Sequence, residues 1–196
     1  MRPSFWVVLL TASGSPGLAL AQSPPAVTVP APPPAVAAPA VLPGAPIAPL
    51  TDSDTQFVLA QTANNTAEIQ AAQLAIQHSQ NQTVRDFAGK IMTDQTYSQG
   101  TLATIVQMHH LQTSPILIEQ HRQMLGQLAQ LNGPAFDRAY VDSIVRAQTA
   151  MIEELNYQLV HGTDQHISAL VQNTRPIILQ HSEIAVQLLV SLPHQA

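Results

Sequence analysis

Four polar side chains stand where the helical periodicity of this sequence asks for apolar ones. Glu68, with Asn64 before it, continues a series of apolar and small residues formed by Phe57, Ala60, Ala67, Ala71, Leu74 and Ala75. Gln95 lies four after Ile91 and seven before Leu102, and Gln148 lies four after Ile144 and three before Met151. His181 lies four after Ile177 and three before Ile184. Each position is near the middle of its stretch, so antiparallel packing would gather them into one layer. A carboxylate and an imidazole in the middle of a helical core are the raw material of a carboxylate-bridged metal site. The full di-iron set needs a Glu from each of two helices and Glu-x-x-His from each of the others, and this chain contains no Glu-x-x-His. Amide oxygens are poor replacements for imidazole toward transition metals. The same four residues also suit a hydrogen-bonded polar layer in which Glu68 pairs with His181 or with an amide, because buried polar groups persist only when satisfied. The candidate layer Glu68, Gln95, Gln148 and His181 thus has two readings. A metal ion there is the only cofactor the sequence suggests, and on the second reading there is none.

Other side chains offer less. His109 and His110 are adjacent, so on a helix they point about 100° apart and cannot chelate together. His78 and His161 fall near helix C-termini, where a positive charge is favourable. His121, His166 and His194 stand alone in the sequence and are expected to be solvated. No Gly-x-Ser-x-Gly elbow supports serine catalysis, and no catalytic residue is expected. Without cysteine there are no disulfides, thiolate metal sites or lipid-modified N-terminal Cys. Asn64 and Asn81 match N-x-Thr sequons, a pattern that also arises by chance.

Four long helical stretches must position the layer. The first runs from about Ser53 to Ser79, with Asp52, Ser53 and Asp54 offering caps and favourable charge. The second runs from about Gln82 to His110 behind Asn81, with Val84, Phe87, Ala88, Ile91, Leu102, Ile105 and Val106 inward. A link holding Pro115 leads to a short extra helix near Glu119 to Leu131. Gly133-Pro134 starts the third long helix, since proline suits a first turn. It continues to about Val160 through Phe136, Tyr140, Ile144, Met151, Leu155 and Leu159. His161-Gly162 predicts a stop with the glycine in the left-handed cap position. Thr163 or Asp164 caps the fourth, which reaches about Val190 and should kink at Pro176. Short connections make neighbours antiparallel, so the expected fold is all-α, an antiparallel four-helix bundle with a short extra helix before helix 3.

Residues 1–21 have the form of a signal peptide: Arg2, the apolar run FWVVLL, and Ala19-Leu20-Ala21 as cleavage motif. Residues 22–50 hold most of the sixteen prolines and are expected to be a Pro/Ala-rich disordered linker of extended, polyproline II character. Residues 51–196 form the helical domain, long enough for a core of its own. Charged residues make up only 10% of the chain, against about 25% in ordinary domains, so Gln, Asn, Thr and Ser build the polar faces. The balance of 7 Lys+Arg against 12 Asp+Glu leaves no basic stripe for nucleic acid and no polybasic membrane patch. The mature chain is expected to have no transmembrane span. Few carboxylates also means few groups whose protonation can drive acid unfolding, so tolerance of mild acid is expected.

The stretches FVLAQTANNTAEIQAAQLA, VRDFAGKIMTDQ, FDRAYVDSIVRAQ and RPIILQHSEIA occur in order from about Asp54 to Leu189. Together they resemble the bacterial exported domain of unknown function 4142. The resemblance implies a ferritin-like fold and a periplasmic or outer-membrane-associated location. It aligns Glu68 with a first-helix Glu, Asp94-Gln95 with an Asp-His pair, Gln148 with a third-helix His, and Pro176 and His181 with a helix-4 Pro and His. Two of three helical histidines are therefore Gln here, which removes ligands from any metal site at those positions. The expected function is an exported, envelope-associated helical bundle, non-enzymatic, acting on an envelope protein or surface by contact. The alternative is a ferritin-like metal-binding or redox protein with a degenerate site around Glu68 and His181.

Overall fold

The computed structural model describes residues 48–112 and 117–193. The expected signal segment, nearly all of the proline-rich stretch, Pro115 and His194 lie outside the described residues. Among those described, the regular elements are five helices: α1 Asp52–His78, α2 Gln82–Met108, α3 Glu119–Leu128, α4 Gly133–His161 and α5 Gln165–Ser191. Side-chain caps start three of them. Thr51 accepts from the Asp54 N–H, Asn81 from the Thr83 N–H, and Asp164 from the N–H groups of His166 and Ile167, satisfying donors that a helix leaves unpaired. Pro134 occupies the first turn of α4. Pro176 lies inside α5, which continues past it to Ser191.

The helix α1 packs along α2 and α4 along α5, while α1–α4 and α2–α5 contacts join the two pairs and α3 lies against α1 and α4. Hydrogen bonds between helices run in opposite sequence directions. Asn65 donates to Ser98 and Gln95 to Glu68 across α1–α2, and Gln61 reaches Glu154 while Glu68 receives Gln148 across α1–α4. Both α2 and α4 therefore run antiparallel to α1.

Apolar burial forms two clusters. One holds Ala71, Phe87, Ile91, Phe136, Tyr140 and Leu188. The other, toward the N-terminus of α1, holds Phe57, Leu102, Met151, Leu155, Ile167 and Ile178. Burial of such side chains is worth roughly 1.5–3 kcal/mol each and supplies most of the folding drive.

The expected stripes need three corrections. Ala60 and Leu159 face solvent, and the inward places in those turns go to Gln61 and Gln158. Asn65, not Asn64, is the buried amide of its turn. The cause is a polar ladder on α1 at heptad spacing. Asp54, Gln61 and Glu68 each reach an α4 residue: Gln158, Glu154 and Gln148 respectively. An acid meets an amide at every rung, so the interface is bound by groups that read as surface residues in a sequence.

The helix ends also differ from expectation. Gly162 has φ −66°, not the left-handed conformation. A Cβ there would lie 2.5 Å from Gln158 Nε2 and 2.6 Å from the Gln158 carbonyl oxygen. Close approach, not positive φ, demands glycine. The Gln158 amide passes beneath it to donate to the buried Asp54 carboxylate, which also accepts from Thr163 Oγ1 at 2.7 Å and Thr163 N at 3.3 Å. Burial alone would raise the Asp54 pKa, but these hydrogen bonds outweigh it and hold the carboxyl below its usual range. Gly162→Ala should cost about 1–3 kcal/mol by overpacking. Chemical denaturation would measure it, and an unchanged midpoint would refute this account of the turn.

Among the described residues, the non-glycine with a left-handed backbone is His110, φ 52°, at the end of α2. Leu111 N bonds Val106 O at 3.0 Å and His110 N bonds Gln107 O at 3.3 Å. This is the Schellman pattern that usually carries glycine, and it fixes His109 as the residue on which α2 closes.

Candidate functional site

Glu68, Gln95, Gln148 and His181 all sit at the level between the two apolar clusters, and each is almost fully buried. Three of them join directly. The Gln95 amide donates to Glu68 Oε2 at 2.5 Å, and the Gln148 amide donates to Oε2 at 3.0 Å and Oε1 at 3.2 Å. Burial pushes the Glu68 carboxyl up to about 7 against the pull of these two amides. The Tyr140 hydroxyl lies in the same low-dielectric region, and burial with the Glu68 charge drives it well above its ordinary value.

His181 does not join Glu68. Its Nε2 donates to Asp94 Oδ2 at 2.8 Å, and Lys90 Nζ reaches the same oxygen at 3.0 Å. Burial would raise the Asp94 pKa, but the hydrogen bonds from His181 and Lys90 outweigh it and lower the carboxyl. The ring is set edge-on to Phe87, centroids 6.2 Å apart. The reason for the split is local. Asp94 and Gln95 are neighbours on α2 and point to different sides of it, so Gln95 faces α1 and Asp94 faces α5. The level therefore consists of a carboxylate held by two amides and a separate imidazole–carboxylate pair. As a chemical arrangement, each carboxylate's donors are fixed side chains of the chain itself.

The remaining histidines are scattered. His78 Nδ1 is 2.8 Å from the Leu131 carbonyl oxygen and stacks on Phe136, and the His161 ring lies 4.3 Å from that of Tyr157. His166, expected to stand alone, and His109, expected not to chelate with its neighbour His110, converge on Asp164. They were not found from sequence because 55 or more positions separate His109 from the other two. The cause is topological: α2 and α4 both run antiparallel to α1, so the end of α2 and the end of α4, after which α5 begins, lie together where α1 starts.

The four sequence blocks have a family counterpart. The profile of the domain of unknown function DUF4142 matches residues 40–188. This chain belongs to the DUF4142 family. A search of curated proteins finds no significant match. Among solved structures, a DUF305 fragment from Deinococcus radiodurans superposes with a TM-score of 0.67 at 16% identity, covering 74% of this chain and 100% of that one. A DUF305 protein from Streptomyces coelicolor gives 0.63 at 12% identity, covering 73% and 96%. At such identities the likeness is one of fold, and it places this DUF4142 chain among helical proteins of that shape. No helix of the described residues is long and apolar enough to cross a membrane.

Proposed function

We propose that this DUF4142 protein is an exported, envelope-associated, ferritin-like four-helix bundle that works by contact with a protein or surface and not by catalysis. The observation that carries this reading is the occupied mid-bundle level. Both Glu68 oxygens accept from Gln amides, and His181 is engaged by Asp94. A ferritin-like metal or redox centre around Glu68 and His181 would need those two groups to face one another, and they are drawn apart. The leader-like residues 1–21 support export, as does the description of the Streptomyces coelicolor neighbour as a candidate secreted protein. The domain division, with a leader to residue 21 and a proline-rich linker to residue 50, belongs to the same proposal.

A contact surface is available on the last turns of α4. Tyr157, Val160 and His161 share one face at i, i+3, i+4 spacing, with Tyr157 56% and Val160 76% exposed. Crosslinking in the intact envelope should capture one recurrent partner, and Tyr157→Asp with Val160→Asp should abolish the capture while helical circular dichroism is retained. Capture unchanged by that pair removes this face from the reading. Sequencing of the mature protein should begin at Gln22, whereas a chain starting at Met1 would be anchored instead of released.

A further inference from the structure

We propose that His109, Asp164 and His166 form a binding site for a single divalent first-row cation, zinc or copper(II), at the end of the bundle where the chain enters α1. The site is separate from the mid-bundle level and adds a ligand to the contact reading above.

Three elements build it. The Schellman turn closes α2 on His109. Asp164 caps α5, with Oδ1 accepting from His166 N at 2.8 Å and Ile167 N at 3.0 Å. This use of Oδ1 fixes the carboxylate and leaves Oδ2 to face His109, whose Nε2 lies 3.4 Å away. His166 follows on the first turn of α5, its Nδ1 3.5 Å from Asp164 Oδ1. One ligand atom from each residue falls within 4.8 Å of the others.

The donors are unspent. His109 Nε2 and both ring nitrogens of His166 are buried without a hydrogen-bond partner among the described residues. The His109 side chain is only 3% exposed, and at 3.4 Å it approaches the carboxylate without hydrogen-bond geometry. A buried polar nitrogen left so calls for a partner, and an ion or a water is one that could supply it. Ligands at 2.0–2.1 Å on a tetrahedral cation stand about 3.3 Å apart, close to the 3.4 Å between His109 Nε2 and Asp164 Oδ2, and a ligand atom of His166 lies within 4.8 Å of both other residues'. Two imidazoles and one carboxylate suit zinc or copper(II), with an open position for water or an external ligand. Calcium and magnesium demand oxygen-rich sets and do not match.

The test titrates the full chain, purified without an affinity tag, with zinc chloride and separately with copper sulfate by calorimetry. One cation per chain should bind at low micromolar concentration or tighter. Asp164→Asn keeps a capping oxygen but loses the anionic ligand, and should weaken binding at least about tenfold, as should His109→Gln. Glu68→Gln should leave it unchanged. In the wild type, the ring resonances of His109 and His166 should be the histidine signals that move on zinc addition, a readout that needs no variant to fold. Absence of binding overturns the site. So does binding that survives both substitutions, or shifts confined to other histidines.

Discussion

Glu68→Gln should make the protein more stable at neutral and alkaline pH and flatten its pH profile between about 5 and 8. Burial raises the Glu68 carboxyl from 4.5 to about 7 in the folded state. In the unfolded chain it titrates near its ordinary value. Below about 4.5 both states hold the proton and the favourable contribution is fully present. As pH rises from there to about 7, the unfolded state releases a proton that the folded state keeps, so stability falls. Above 7 the contribution is lost. A difference of this size corresponds to roughly 3 kcal/mol by proton linkage, an order-of-magnitude value. The carboxamide carries no charge to desolvate. It can accept from Gln95 and, once the Gln148 amide turns, donate to Gln148 Oε1, which is buried without a partner. The variant should match wild type at pH 5 and exceed it by about 2 kcal/mol at pH 8, several degrees in melting temperature for a domain of this size. Taking the difference between the two proteins at each pH cancels the remaining groups. A difference that stays constant from pH 5 to pH 8 would show that Glu68 is not a buried carboxyl holding its proton.

The scarcity of carboxylates led to an expectation of tolerance toward mild acid, with no sign attached, and the Glu68 contribution, which grows as pH falls from about 7, is a separate effect. The physical source is more specific than composition. It lies in one acid whose two donors are neutral amides, where a cationic partner would have lowered the carboxyl instead.

The helical periodicity made α1, α2, α4 and α5 legible to within a few residues, because Phe57, Ala71, Phe87, Ile91, Tyr140, Ile144, Ile184 and Leu188 mark their inner faces. The same rule misjudged Ala60 and Leu159, since it ranks an alanine or leucine above a glutamine for an inward place. Gln61 and Gln158 win there because each meets an acid across the α1–α4 interface. Position along a helix was enough to bring Glu68, Gln95, Gln148 and His181 to one level. It could not say that Asp94, one residue from Gln95, would take His181, because hydrogen-bond choice turns on which side of α2 faces α5. Asp164 was legible as a cap, while its role in drawing His109 and His166 together depends on two helix ends meeting in space. Residue type and spacing reach what happens within a helix. Polar pairing between helices lies beyond them.

The second large effect concerns the mid-bundle level itself. Gln95→His with Gln148→His should create a zinc site there. In the native protein both Gln Nε2 atoms already lie against Glu68, at 2.5 Å and 3.0 Å. An imidazole Nε2 extends about as far from the backbone as a glutamine amide, so each replacement puts a metal-binding nitrogen near the atom it removes. The set is then two imidazoles and one carboxylate, three protein ligands as in open zinc sites. His181 does not belong to it, because Asp94 holds that ring. The metal-free variant should be less stable than wild type, since Glu68 loses two amide donors and neutral imidazoles present fewer N–H groups to it. Zinc should reverse the loss, because it binds the folded chain and not the unfolded one. At a hundredfold excess over its dissociation constant that is about 2.7 kcal/mol. The measurement belongs in an Asp164→Asn background, so that the proposed site at the end of the bundle contributes nothing. Zinc titration there should give one site with a dissociation constant of about 10 μM or tighter, near −7 kcal/mol, and a melting temperature that climbs with zinc concentration. The Asp164→Asn parent should show neither. Zinc binding by that parent would mean that the amide-filled level already takes metal, and the contact reading would lose its support. A double variant that folds yet stays indifferent to zinc would show that the ligands created at positions 95 and 148 do not converge on Glu68, contrary to the geometry from which they were chosen.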